Sequence, residues 1–305
     1  MLNLFVFTLM YAALASAWNI VGGYSGYISL GHAAFFGIGA YAVGILFTHV
    51  SIGGGYRPFY SLPLVGIVVG VGSLPIAWVA FRTRAATFAI VTITLLFVVQ
   101  QLAFNLGWLT GGSQGLAIPV PNFPVSTYEN PFYFAMLGVL ALSMLASWFI
   151  RGSKLGLSLI SIRDDEDRAA GLGVQTGFAK LTAFAVSAGL VAMAGGVWAY
   201  YLSFIYPQFA VDPLVTIGMV LMVYLGGRGT IWGPVLGAFI LVPAQQFLAY
   251  RLGASQLYLV GYSAVFLVVM LLMPRGILPS LREQARRLRV RRLPADSHTE
   301  EAAAS

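Results

Sequence analysis

No charged side chain occurs before Arg57, and none occurs between Arg84 and Glu129. Nothing else in the chain limits the fold as strongly. A soluble domain wets its surface with charge, typically about a quarter of its residues. Here 9% of 305 residues are charged and 59% are hydrophobic. Uncharged runs of this length hold apolar helices of roughly 20 residues, enough to cross a bilayer. Lipid offers no partner to backbone N–H and C=O groups, so the spanning segments must be helices. The expected fold class is all-α: a polytopic integral membrane protein of about 8–10 transmembrane helices, some broken by glycine or re-entrant.

Apolar spans read at about 2–21, 33–50, 62–81, 85–107, 132–150, 179–203, 213–226, 234–250 and 257–273. The spans at 213–226 and 234–250 are short and flank GGRGT, so a re-entrant hairpin or a broken helix is also compatible with them. Basic residues orient the spans. Arg82 and Arg84 mark one cytoplasmic turn, and Arg151, Lys154, Arg163, Arg168 and Lys180 mark a larger cytoplasmic loop over 151–180. Arg275 and the arginines after it mark a cytoplasmic C-terminus. The intervening loops near 51–61, 108–131 and 204–212 are nearly uncharged and fit the outer face. Nine spans then place the N-terminus outside. Trp78 and Trp148 fall near span ends beside arginines, as interfacial anchors.

The first residues lack a basic n-region and read as a retained span rather than a signal peptide. The transmembrane domain is expected over 1–280 and a tail over 281–305, basic in LREQARRLRVRRL and then polar and disordered. No aromatic residue interleaves the basic run, which argues for a membrane surface and against nucleic acid.

Several chemistries are set aside. The chain has no cysteine, which excludes disulfides, thiolate metal sites and thiol catalysis. GGSQG at 111–115 matches the G-x-S-x-G pattern, but only His32, His49 and His298 exist, and Ser113 follows a helix in a loop. It reads as a glycine-rich loop at the membrane mouth. No G-x-x-x-x-G-K-[ST] phosphate loop is present. The only acidic cluster is Asp164–Asp167. No cofactor and no metal site is expected, and His32 reads as a hydrogen-bonded structural residue. Gln100, Gln101 and Asn105 read as bonds between helices. Asp212 before Pro213 and Arg228 in the glycine break read as interfacial.

Two glycine-rich segments remain, GGYSGYISLGHAAFFGIGAY at 22–41 and another at 226–237. Two readings stay open. Small residues at steps of four, as at Gly22/Gly26, Gly66/Gly70 and Gly229/Gly233/Gly237, let helices approach closely. Alternatively, interrupted spans in corresponding halves line a translocation path. Residues 153–180 also stand out. Ser161 with Asp164 makes a capping-box-like start and Gly171 and Gly173 a stop, so one short charged helix is expected over about 161–173. Such a helix is either a solvated surface element or the dock for a soluble motor. A self-sufficient channel needs no such helix, and a membrane-embedded enzyme needs a second acidic cluster.

The set GYSGYISLGHAAFFGIGAY, FAIVTITLLFVVQQLAFN with TGGSQGL, IRDDEDRAAGLGV and VYLGGRGTIWGPVLGA, closing on MPRG, resembles the LivM-type permeases of branched-chain amino acid ABC transporters. It runs in order over nearly the whole chain. The resemblance implies a non-enzymatic inner-membrane subunit that pairs with a LivH-like second permease. It further implies two cytoplasmic P-loop ATPases and a periplasmic or lipid-anchored solute-binding protein. By match of motif, Arg163, Asp164, Asp165, Glu166, Ala169, Ala170 and Gly173 form the loop that docks the ATPase. The same resemblance places Gly22, Gly26, Ser29, Gly31, Gly37, Gly39, Gly111, Gly112, Gly115, Gly226, Gly227, Gly229 and Gly233 at the path or its helix breaks. It implies a further apolar segment upstream of Met1. Where the family loop reads more like DNE-x-A-A, this chain has DDEDRAA, with Asp167 and Arg168 inserted. Relatives of this type carry branched-chain amino acids, urea, short amides or aromatic acids.

Overall fold

The computed structural model describes residues 2–50, 54–252, 264, 267, 271, 276–281 and 283. In chain order the helices are α1 (Leu2–Gly22), α2 (His32–Val50), α3 (Arg57–Gly72), α4 (Leu74–Ala80), α5 (Ala85–Asn105) and the turn α6 (Gly107–Thr110). After strand β1 (Leu116–Ala117) come α7 (Glu129–Arg151), α8 (Lys154–Asp164), α9 (Glu166–Gly171) and α10 (Thr176–Leu202). Strand β2 (Phe204–Ile205) precedes α11 (Pro207–Ala210), α12 (Pro213–Gly226) and α13 (Gly233–Leu252). Among the described residues, 8 helical segments are long and apolar enough to cross a membrane.

The fold is all-α; among the described residues one two-residue antiparallel ladder pairs Leu116 with Ile205 and Ala117 with Phe204. The third span is a broken one. Pro75 has no N–H to return to α3, and the helix is interrupted at Ser73. The 213–226 and 234–250 segments are two separate helices joined by a turn. The ninth expected span, 257–273, and the 281–305 tail lie outside the described residues except for isolated positions.

Burial sorts the spans. In α1 and in α10, 78% of the most apolar stretch is inside the protein, against 22% for α5. A helix apolar on every side belongs in the interior of a bundle, and α1 and α10 sit there. α10 packs along α2 and α3, while α1 packs along α7, α13 and α10. Two crossings of α10 depend on missing side chains. A Cβ on Gly195 would collide with the Phe36 carbonyl, and one on Gly39 with the Ala192 carbonyl. Gly66 and Gly70 of α3 lie in the same way against Gly189 and Ala185. In lipid, where apolar surface alone does not draw helices together, such close backbone approach supplies the packing energy.

The ends of the bundle differ. At one end Tyr200 donates to the Gly55 carbonyl at 3.0 Å and Tyr128 to that of Tyr201 at 3.1 Å, beside the small ladder. The other end gathers Arg151, Arg163 and Arg228, whose guanidinium groups bond the backbone of both glycine-rich segments.

Candidate coupling site

The first glycine segment leaves helical geometry between α1 and α2 and is nonetheless largely buried. Irregular backbone at membrane depth survives only where the protein pairs its polar groups. Here it does. Trp18 Nε1 donates to the Ser29 carbonyl at 2.8 Å, and Thr92 Oγ1 accepts from Leu30 N at 3.0 Å. Thr216 Oγ1 accepts from Ala33 N at 2.8 Å. Arg228 Nε donates to the Gly22 carbonyl at 3.0 Å, and Arg163 Nη1 to that of Gly23 at 3.2 Å.

Buried His32 closes the segment as a structural residue. Ser187 Oγ donates to the Ala17 carbonyl at 2.7 Å, so its oxygen accepts from His32 Nε2–H at 2.9 Å. That assigns the proton to Nε2 and leaves Nδ1 to accept from Ser29 Oγ at 2.7 Å. No serine-hydrolase constellation forms, because Ser113 sits in an exposed single turn while both imidazoles in the described residues bond elsewhere. Gln100 Nε2 donates to the Val211 carbonyl at 3.0 Å, a bond between elements.

The second glycine segment meets the first through Asn19. Its Nδ2 donates to the Thr230 carbonyl and its Oδ1 accepts from Gly229 N, both at 2.9 Å. Arg151 Nη1 donates to the Gly229 carbonyl at 3.1 Å. Asn19, Thr92 and Thr216 are thus structural keys that reading by motif passes over. An amide buried deep in the mostly apolar α1 is the signal that marks Asn19.

The 153–180 loop departs from the single helix expected over 161–173. It forms α8 and α9 with Asp165 extended between them. Ser161 is no cap. It lies inside α8 and its hydroxyl donates back to the Leu157 carbonyl at 2.8 Å. Ser153 caps α8, and Asp165 caps α9 by accepting from Arg168 N at 3.0 Å.

Several residues expected on the docking surface are turned inward. Ala169, on α9, is 2% exposed. Glu166 accepts from Lys180 Nζ at 2.5 Å and from the Tyr27 hydroxyl. Burial, and after it the hydrogen bond to Glu166, raises the Tyr27 phenol above its ordinary pKa, so it stays a donor. Glu166 therefore ties α9 to α10 and to the glycine break at once. Arg163 likewise spends its guanidinium on Gly23. The outward set is Asp164, Asp167, Arg168, Ala170, Leu172 and Gly173, with Leu172 86% exposed. Between loop and break lies a cavity of about 400 Å3, walled by Gly26, Tyr27, Arg84, Arg163, Asp167 and Arg228 among others.

The glycines expected at a path are mostly contacts. Gly31 abuts the Thr92 carbonyl, Gly37 abuts Val211, and Gly226 and Gly233 abut each other. Gly22 lies under the Trp18 ring. Gly26, Gly227 and Gly229 take positive φ in turns at the basic end, and Gly111, Gly112 and Gly115 do so at the opposite end.

The family model for the permease component of branched-chain amino acid transport systems matches residues 1–274. The chain belongs to this family. Within it, the chain is 29% identical to the high-affinity branched-chain amino acid permease LivM of Salmonella typhimurium, over 91% of this chain and 69% of that one. LivM of Escherichia coli is 28% identical over the same shares. LivH of Escherichia coli is 25% identical over 88% of this chain and 91% of its own. The autoinducer 2 import permease LsrC of Salmonella paratyphi B is 27% identical over 62% and 56%. No solved structure matches the chain. Family membership and eight apolar spans together make this a multi-pass membrane permease component of a branched-chain amino acid type.

Proposed function

We propose that the chain forms one half of a heterodimeric translocation path in an ATP-driven importer of branched-chain or related amino acids. A LivH-like permease supplies the other half, two P-loop ATPases dock at the basic end, and an extracytoplasmic binding protein docks at the other. The basic end is cytoplasmic in this reading, since Arg82, Arg84, Arg151, Lys154 and Arg163 gather there. The similarity to LivM and LivH supports the substrate class and the second permease.

The observation that carries the reading is the construction of the 153–180 loop. Its outer face offers exposed Leu172 beside Ala170 and Gly173, while its inner face holds the first glycine break through Glu166 and Arg163. A motor pushing on Leu172 moves α9, and Glu166 transmits that movement to Tyr27 and α10. The turns at Gly26, Gly227 and Gly229 act as hinges of the path, with Ser29 and His32 holding the break together. Loaded binding protein, ATP-driven closure of the motors and release inside follow in sequence.

The test is a tagged pull-down of the chain from mild detergent, wild type beside Leu172→Asp. Wild type is expected to bring down ATPases and a second permease, and the variant to lose only the ATPases. Wild type purifying alone and passing solute without ATP overturns the importer. A second reading, an importer of another small neutral solute, is favoured by the LsrC similarity. Uptake of leucine, urea and autoinducer 2 by the reconstituted complex separates the two.

A further inference from the structure

We propose that the cavity between the coupling loop and the first glycine break binds a phosphate oxyanion, supplied by the headgroup of an anionic phospholipid. The charges of its wall do not cancel. Lys180 is taken by Glu166 at 2.5 Å, and Asp165 by Arg168 at 2.9 Å. Arg84 enters from the start of α5 with no side-chain hydrogen bond or ion pair to a described residue. Arg163 and Arg228 converge on Gly26. A Cβ there would stand 2.9 Å from Arg163 Cγ and 3.2 Å from Arg228 Nη2. With φ at +83°, Gly26 leaves the floor open between the two side chains. Arg163 also stands 3.7 Å from Asp164, outside the wall, and Arg163 and Arg228 each hold a backbone carbonyl, so Arg84 brings the uncommitted fork. Against the three guanidinium groups stands Asp167, the one wall carboxylate without an ion pair among the described residues. Guanidinium forks match the oxygens of a phosphate and remain charged at every physiological pH.

Position favours a lipid as the source. Arg82, also on the wall, lies 3.7 Å over the Trp78 ring, and Trp78 is exposed on α4. The neighbouring α5 is the least buried span among the described residues. The cavity thus adjoins a lipid-facing pair of helices with an interfacial tryptophan, the depth at which headgroups lie. Basic pockets between spans on the cytoplasmic side hold anionic headgroups. A headgroup here bridges the α4–α5 turn, the coupling loop, the α1–α2 break and the α12–α13 turn, so its presence would stiffen the elements that the motor moves.

The inference rests on the orientation proposed above, but its readout does not need the ATPases. The purified full chain is titrated with phosphatidylglycerol in phosphatidylcholine nanodiscs, and retained lipid is counted by native mass spectrometry. Arg84→Gln is expected to weaken phosphatidylglycerol retention about tenfold and Arg84→Glu further. Lys154→Gln, which removes a charge from the same face outside the cavity, is expected to leave it within about twofold. Equal losses for Arg84→Gln and Lys154→Gln would mean diffuse surface attraction and overturn the site. Inorganic phosphate displacing the lipid at equal concentration overturns the lipid as source. Loss of co-purifying ATPase with lipid retention unchanged would assign the cavity to an acidic group of the motor and also overturn the proposal. If no ATPase or second permease co-purifies but Arg84-dependent retention persists, only the importer reading falls.

Discussion

An ammonium group held under apolar side chains is costly unless a carboxylate faces it. Lys180 is 4% exposed, and among the described residues its partner Glu166 is the single carboxylate bonded to it. Glu166→Gln should therefore destabilise the detergent-purified protein by about 1–3 kcal/mol, below the range for a fully buried pair because the Glu166 side chain is 31% exposed. Adding Lys180→Met removes the stranded charge, so the double variant should melt above the single one. A double variant melting lower still would mean that the pair does not act as a unit. Gly195 makes the opposite demand, for absence of a side chain. Gly195→Leu should abolish monodisperse protein in size-exclusion chromatography, since the Phe36 carbonyl occupies the space. Gly138→Ala, with nothing within 4 Å of its Cβ, should elute as wild type does.

At the scale of elements, the 153–180 loop holds two short helices, the second started by one cap. Asp165→Ala removes the acceptor for Arg168 N and should cost about 1 kcal/mol locally. Hydrogen exchange should then accelerate over Glu166–Gly171 and stay unchanged in α10. Protection unaltered in α9 would show that Glu166 and Ala169 hold it without the cap. The expectation of one helix from Ser161 failed here for a definite reason. Ser, Asp and Gly mark helix ends in sequence, but Ser161 bonds inside α8 while Asp165 takes the extended conformation that starts α9.

For the whole molecule, the absence of cysteine in the sequence makes topology directly measurable. Gly54 lies in an exposed bend and Gly171 at the exposed end of α9, both with open space around a Cβ. Gly54→Cys should react with an impermeant maleimide in intact cells, and Gly171→Cys only after the membrane is opened. The reverse pattern would invert the orientation and move the proposed dock to the outer face.

The spans were legible because the charge-free runs admit no other structure in lipid, and the boundaries read from hydropathy fall within a few residues of α1, α2, α5 and α12. The arginines that collect at one end were equally legible, as point charges too costly to bury. What only the tertiary structure decided is who faces whom. Sequence periodicity says nothing of whether Glu166 looks toward a motor or toward Tyr27, because both faces of a six-residue helix carry polar side chains. Nor does it say that Asn19 joins two glycine segments some 210 residues apart, or that Gly39 and Gly195 are spaces reserved for another helix's carbonyl. Lipid dictates helices through a cost borne by every peptide group alone. Pairing, close approach and the direction of a buried charge arise only between segments, and so belong to the folded molecule.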